Sequence, residues 1–111
     1  MLQLRSDIWC ASFVRRHNDL GNYCVLARKG HLSAGQVFIE VDHLNSTNSL
    51  YAPAPMLKRK DDNIGLVFEI LLDRVDAKEI HRRIESELNF DPDIWVIALE
   101  LRSGDIGLDI V

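Results

Sequence analysis

The stretch Asp91-Pro92-Asp93-Ile94-Trp95-Val96-Ile97-Ala98-Leu99-Glu100-Leu101 decides how the rest of this chain folds. Its run from Ile94 to Leu99 is continuously apolar and rich in β-branched and aromatic residues, and it is entered through an acidic turn at Pro92. A strand that is covered on both faces has this composition. We therefore predict that residues 94–101 form the central strand of a sheet.

Length and composition favour one soluble globular domain over residues 1–111. The chain has 111 residues, of which 47% are hydrophobic and 27% charged, and such values are ordinary for one domain. We expect no signal peptide and no membrane span, because no window approaches the roughly 20 apolar residues that a span needs. Cys10 and Cys24 both lie in apolar stretches, so we expect a reduced, cytoplasmic protein without a disulfide.

Residues 6–20 carry the signals of a first helix. Ser6 is a suitable N-cap and Gly21 a suitable left-handed residue after the last turn. Between them, one helical face collects four residues at spacings of three, four and seven: Cys10, Phe13, Val14 and His17. The alternative is a buried strand through Ile8 to Val14, which the β-branched and aromatic content also allows.

Residues 76–89 predict a second helix with more complete local signals. Asp76 stands at the N-cap, Glu79 completes a capping-box-like arrangement, and Val75 and Ile80 occupy the positions of a hydrophobic staple. The predicted buried stripe consists of Ile80, Ile84 and Leu88.

Alternating apolar residues and turn signals predict the remaining strands. From Gln36 onward, Val37, Ile39 and Val41 point one way, and Phe38, on the other face, is expected to lie under a helix. The other predicted strands are Tyr23–Ala27, Leu50–Ala52, residues 64–72 with Ile64, Leu66, Phe68, Ile70 and Leu72 on one face, and a terminal hairpin strand with Ile106, Leu108 and Ile110. Residues 53–63 contain two prolines and no periodicity, which is typical of an exposed loop.

The predicted fold class is α+β. Residues 64–72, the second helix and residues 94–101 form a βαβ unit, which is expected to be right-handed if the two strands are parallel in one sheet. Together with the other elements, the pattern predicts a two-layer domain: one mixed, mostly antiparallel sheet of about five or six strands with two helices.

Charge is unevenly distributed along the chain. The net charge is −4, but residues 1–60 hold 8 basic and 4 acidic groups, whereas residues 61–111 hold 5 basic and 13 acidic groups. Such asymmetry either steers a charged partner or lets the two halves face one another in the fold. If the first helix is followed by a returning strand, an elongated basic stripe results, and we predict it as a binding surface formed by Arg5, Arg15, Arg16, Arg28 and Lys29.

Four residues that recur every seven positions invite a metal interpretation: Cys10, His17, Cys24 and His31. Seven helical residues separate Cys10 and His17 by about 10.5 Å, which is too far for two ligands of one zinc ion, and the usual two-residue ligand spacing is absent. We therefore expect no metal and no cofactor. Scattered glycines also argue against a phosphate-binding loop.

No motif specifies catalysis. Asp91, Asp93 and His81 are the best available candidates for an enzyme, although the two carboxylates bracket a proline where turns favour aspartate. Ser, His and Asp residues occur without a spacing that pairs them as a triad. A sequence pI of about 5.5 argues against a nucleic-acid binder.

Several short segments resemble a bacterial protein family. They are Arg15-Arg16 before Gly21, Ala34-Gly35 before an apolar strand, Leu50-Tyr51-Ala52-Pro53-Ala54-Pro55, and Phe90-Asp91-Pro92-Asp93-Ile94-Trp95. Together they resemble a small, chiefly alphaproteobacterial family known as domain of unknown function 1491. The resemblance implies a one-domain protein in the bacterial cytoplasm and no particular activity or ligand.

Three function classes follow. A non-catalytic protein-binding or adaptor module, which recognises a protein partner or itself, requires no chemistry that the sequence lacks. The alternatives are a small enzyme with a site built from loops and a nucleic-acid-binding protein. A deep cleft with convergent polar groups would favour the enzyme over the binding module.

Overall fold

The computed structural model describes residues 5–31, 35–55 and 66–111. The described elements are α1 (Ser6–Asp19), β1 (Cys24–Arg28), β2 (Gln36–Asp42), β3 (Asn48–Pro53), β4 (Phe68–Val75), α2 (Ala77–Phe90) and β5 (Ile94–Glu100). The prediction of a loop through residues 56–63 and that of a strand start at Ile64 lie outside the described residues. Within the described ranges, no helix is long and apolar enough to cross a membrane.

The five strands form one sheet in the order β1-β5-β2-β3-β4. Among the described strands, β2 and β5 form the one parallel pair, and the other three pairings are antiparallel. The prediction of an α+β fold with one mixed, mostly antiparallel sheet and two helices is confirmed. The predicted central strand, β5, is an interior strand that is paired on both edges, but β2 occupies the middle of the sheet.

Both faces of β5 are buried, as its continuous apolar run predicts. Ile94 and Val96 belong to one core cluster, whereas Trp95, Ile97 and Leu99 belong to the other. Such a strand needs cover on both sides of the sheet. The two helices supply that cover from opposite faces.

Each helix packs on its own face of the sheet. Cys10 and Phe13 of α1 join the cluster that contains Ile97, whereas Ile80 of α2 joins the cluster that contains Phe38. The predicted position of Phe38 under a helix is confirmed. The predicted two-layer arrangement is wrong, because the helices lie on opposite faces and the chain forms three layers.

The helix boundaries agree with the sequence, but the capping bonds do not. The α1 N-cap is Arg5, and the hydroxyl of Ser6 instead donates to the carbonyl oxygen of Gly35. At the other end of α1, Gly21 adopts the left-handed conformation predicted for it, with φ +90°. Asp76 is the N-cap of α2 without a side-chain capping bond.

The predicted terminal hairpin is wrong. β5 already has β1 on one edge and β2 on the other, so no edge remains for a hairpin partner. The residues after Gly104 instead pass over α1, where Ile106 and Leu108 pack against the core. They end at the outer edge of β4, where Phe68 and Ile110 form an isolated parallel bridge.

Strand β4, Phe68–Val75, runs further than predicted at its end. The predicted common face is wrong, because Phe68 packs in the α1-side cluster and Leu72 in the α2-side cluster. Register irregularities between β3 and β4 break the simple alternation. Arg74, with φ +56°, marks the most distorted position of β4.

Candidate functional site

A cleft of about 280 Å³ lies on the α2 side of the sheet, at the carboxyl ends of the parallel neighbours β2 and β5. Ligands of open sheets commonly bind at the carboxyl ends of parallel strands. The start of α2 forms one wall. The lining residues are Tyr23, Glu40, Val41, Asp42, Asn48, Ala77, Ile80, His81, Ala98, Leu99 and Glu100.

The cleft exists because α2 covers only part of its face of the sheet. The helix contacts β3 and β4 most closely, so it leaves the carboxyl-terminal part of β5 and the adjacent β1 less covered than Phe38, Ile94 and Val96, which it buries. Ala98 pairs with Glu40 on one side and Val25 on the other. The methyl group of Ala98 is too small to fill the cleft, and Val25, Glu40 and Ala98 are all half-buried.

The cleft is acidic. Its carboxylates are Glu40, Asp42 and Glu100, and His81 is its one basic side chain. Burial raises the pKa of Glu40, while the nearby His81 opposes that rise. No described residue forms a hydrogen bond with the Glu40 carboxylate, so its charge is open to a partner group that enters the cleft.

Strand β1 forms the edge of the sheet next to this cleft. It pairs with β5 on one side, and no described strand pairs with its other side. Leu26 within β1 and Tyr23 just before it expose 40% and 60% of their surface. Tyr23 also lines the cleft, so the edge and the cleft form one continuous surface, which we call the β1 surface.

The opposite edge of the sheet, formed by β4, is protected. The Phe68 N–H donates to the carbonyl oxygen of Asp109 at 2.8 Å, and the Val111 N–H donates to the Phe68 carbonyl oxygen at 3.0 Å. Further along β4, the exposed pair Asp73 and Arg74 places charge on the edge. Covering segments and charged residues are the usual protection against strand pairing between molecules. Edge β1 has no such covering segment among the described residues, although its Cys24 N–H donates to the side-chain oxygen of Asn18 at 3.2 Å and its register shifts between Leu26 and Arg28.

The predicted basic stripe is spread over the fold, and three of its five cations have partners within the chain. Arg5 pairs with Asp7 at 2.9 Å. Arg16 donates to the carbonyl oxygen of Gly107 at 2.9 Å, and Arg28 donates to that of Pro92 at 3.3 Å. The other two stripe cations, Arg15 and Lys29, have no ion-pair or hydrogen-bond partner among the described residues.

The stripe residues form no single pocket. The start of α1 and the end of β1 lie at the same end of the sheet, since Ser6 bonds to Gly35 and the His31 N–H donates to the Asp93 carboxylate. A Cβ added at Gly35 would lie 2.6 Å from the carbonyl oxygen of Asp93, so this corner is closely packed. Arg15 and Arg16 lie toward the other end of α1.

The predicted catalytic candidates are not brought together. Asp91 accepts a hydrogen bond from the Asp93 N–H at 2.9 Å, and Asp93 accepts one from the His31 N–H at 2.7 Å. Both carboxylates therefore stabilise the turn that precedes β5. His81 lines the cleft, which lies at the opposite end of β5.

The structure does assemble a Ser, a His and an Asp that the sequence analysis did not pair. The Ser49 Oγ lies 2.8 Å from His43 Nε2 and 3.3 Å from Asp73 Oδ1, and it accepts a bond from the Arg74 N–H at 3.1 Å. Catalytic triads place the histidine between the other two residues, whereas here the serine is in the middle. Ser49 is fully buried, so we assign this cluster to holding the irregular β3–β4 pairing.

The four residues of the Cys/His series do not converge on a metal site. Both ring nitrogens of His17 bond within the chain, and His31 is exposed. Among residues 5–31, 35–55 and 66–111, no group of three or more potential ligands could hold a metal ion. Burial raises the pKa of the Cys10 thiol to about 12 and that of the Cys24 thiol to about 11, so both stay protonated.

Comparisons with known proteins identify relatives without an assigned activity. The model of the family described as "Protein of unknown function (DUF1491)" matches residues 4–109. A solution structure of a protein from A. tumefaciens is 29% identical, with a TM-score of 0.83, and the match covers 99% of this chain and 96% of that one.

Two structures of DUF1491 family proteins from Caulobacter crescentus CB15 are also similar. The crystal structure is 26% identical with a TM-score of 0.79, and the match covers 99% of each chain. The NMR structure is 27% identical with a TM-score of 0.78, and the match covers 100% of this chain and 99% of that one. The comparison with curated proteins finds no match.

Proposed function

The chain belongs to the DUF1491 family, which is described as of unknown function, and from its geometry we propose that it is a non-catalytic protein-binding module. The β1 surface is the binding site. Edge strands with free backbone groups pair readily with a strand of another chain. The observation that carries the proposal is that no described strand pairs with the outer side of β1, where Tyr23 and Leu26 are exposed, whereas the β4 edge is covered.

The cleft supports a binding role over a catalytic one. Pockets for small molecules commonly measure about 300–1,000 Å³, and this cleft, at about 280 Å³, falls just below that range. It can take a side chain of a docked partner. Because Glu40, Asp42 and Glu100 line it, a partner side chain that carries positive charge or several N–H donors fits best.

The runner-up is a small enzyme that uses the cleft. The observation that favours it is the half-buried Glu40, whose pKa is raised by burial and which interacts with His81. Perturbed carboxylates beside a histidine are common in acid–base catalysis. A catalytic pair of this kind normally has a further buried group that orients it. No such group is among the described residues that line the cleft.

A capture experiment with matched variants tests the proposal. The wild-type protein, Leu26→Arg and Ile8→Arg serve as baits in the native cell extract, since Ile8 is 56% exposed and belongs to α1 instead of β1. We expect a partner that the wild type and Ile8→Arg retain and that Leu26→Arg loses. The partner is then purified, and its complex should slow amide exchange over residues 23–28. Equal capture by Leu26→Arg would contradict the proposal.

We also propose a cytoplasmic location. Cys10 and Cys24 are both buried as free thiols, and exported proteins more commonly carry disulfides. Blocking of both thiols only after unfolding, in protein taken directly from cells, would support this location. A modified or oxidised thiol in the native protein would count against it.

A further inference from the structure

We propose that the open edge of β1 pairs with the β1 edge of a second copy of this chain. The two strands run antiparallel about a two-fold axis and join two five-stranded sheets into one continuous sheet. This inference rests on the proposed function, because it names the partner that the β1 surface takes. Symmetric pairing of identical surfaces is the commonest way in which soluble proteins form dimers.

The apolar residues of β1 suit a symmetric contact. Leu26 is 40% exposed although it lies in the strand. With the two-fold axis at Leu26, this residue lies opposite its own copy, and the side chains can cover one another. Tyr23, 60% exposed, lies toward each end of the paired strands.

The charges of β1 are self-complementary. Basic residues, Arg28 and Lys29, lie at the end of the strand, whereas Glu100 lies beside its start and donates its N–H to the Tyr23 carbonyl oxygen at 2.9 Å. An antiparallel pairing brings the basic end of one copy to the acidic start of the other. Both ends of the interface gain the same attraction, since the axis relates them.

The register makes this contact explicit. With the axis at Leu26, Lys29 of the second copy, which follows β1, lies close to Tyr23, and the register shift between Leu26 and Arg28 sets its offset. Neighbouring strands are about 4.8 Å apart, so this lysine is one strand spacing from Tyr23 and two from Glu100. A lysine and a glutamate side chain together bridge that distance. Lys29 has no ion-pair partner among the described residues of its own chain, and the second copy supplies one.

A second copy of this chain complements the charges of β1 better than an unrelated peptide does. A peptide of fixed charge would complement one end of β1 and be repelled by the other. The same strand reversed complements both ends. Because β1 has only five residues, the interface is small, and interfaces below about 1,200 Å² are weak. We therefore expect a monomer–dimer equilibrium that depends on concentration.

A charge-swap experiment tests the pairing. Sedimentation velocity is measured over a range of concentrations, at low and high salt, for the wild type, Lys29→Glu, Glu100→Lys and a mixture of the two variants. The wild type should dimerise, and each variant alone should be shifted toward monomer by like-charge contacts. The mixture should recover the dimer, because a heterodimer restores attraction at both ends of the interface. High salt should reduce all these differences.

Two controls keep the outcome decisive. Arg82→Glu reverses an exposed cation on α2, which contacts β3 and β4 most closely, and should dimerise like the wild type; circular dichroism verifies that every variant is folded. A wild type that stays monomeric at all concentrations, or a mixture no more dimeric than its components, would overturn the pairing. The broader binding function fails by a different result, equal capture of partners by wild type and Leu26→Arg, so the two failures are distinguishable.

Discussion

His17 Nε2 lies 2.7 Å from the carbonyl oxygen of Ile106, and this contact ties the end of the chain to α1. The other ring nitrogen, Nδ1, lies 3.1 Å from Asn22 Nδ2. The asparagine amide nitrogen donates and the carbonyl oxygen accepts, so this pair of contacts fits the tautomer with its proton on Nε2. Arg16, one residue earlier, holds Gly107, so α1 and the C-terminal residues stabilise one another.

Replacing His17 by Ala should destabilise the protein by about 2 kcal/mol or more. The variant leaves a buried carbonyl oxygen without its donor and opens a cavity beside Phe13. Urea unfolding measures the loss, and limited proteolysis should cut the C-terminal residues faster. His31→Ala is the control, because its side chain is exposed, and it should cost under about 0.5 kcal/mol. Equal losses would refute the assigned role of His17.

The docking of α2 should depend on one face of that helix. Ile80 of α2 is 2% exposed and packs against the sheet, so Ile80→Ala should lower the free energy of unfolding by about 2–4 kcal/mol. Glu85 is exposed on the same helix, and Glu85→Ala should cost under about 0.5 kcal/mol. Urea melts of the two variants check this difference. Similar midpoints would mean that the buried stripe is assigned incorrectly.

Glu40 should make stability depend on pH. Burial raises its folded pKa above the ordinary value of 4.5, so the native state favours the protonated carboxyl. The stability that the protonated Glu40 carboxyl contributes is therefore fully present below the unfolded pKa and is lost as pH rises through the folded pKa. Glu40→Gln should be more stable than wild type at pH 7, and this advantage should shrink toward pH 4. Urea unfolding at both pH values measures it, and a constant difference would contradict the assignment.

The sequence predicted the local elements well, because their signals lie within short windows. The stripe of α2, the left-handed Gly21 and the two-sided burial of β5 all follow from spacing and residue type. The terminal hairpin failed for a non-local reason. Whether Ile106 can pair beside β5 depends on which strands already flank β5, and no short window contains that information.

The candidate site was missed for the same reason. Glu40, His81 and Glu100 come from three different elements, and only the strand order and the incomplete cover by α2 bring them to one cleft. The five predicted stripe cations were visible as charge in the sequence, but three of them have partners within the chain. Lys29 becomes relevant to function because the sheet order leaves β1 at an open edge.

Amide hydrogen exchange as a function of protein concentration tests most directly whether β1 is the binding edge. The N–H groups on the outer side of residues 23–28 should exchange more slowly as concentration rises, because pairing with a second copy protects them. The amides of β4 from Glu69 to Val75 serve as an internal reference and should be unaffected. Concentration-independent exchange at β1, or equal protection at both edges, would contradict the account.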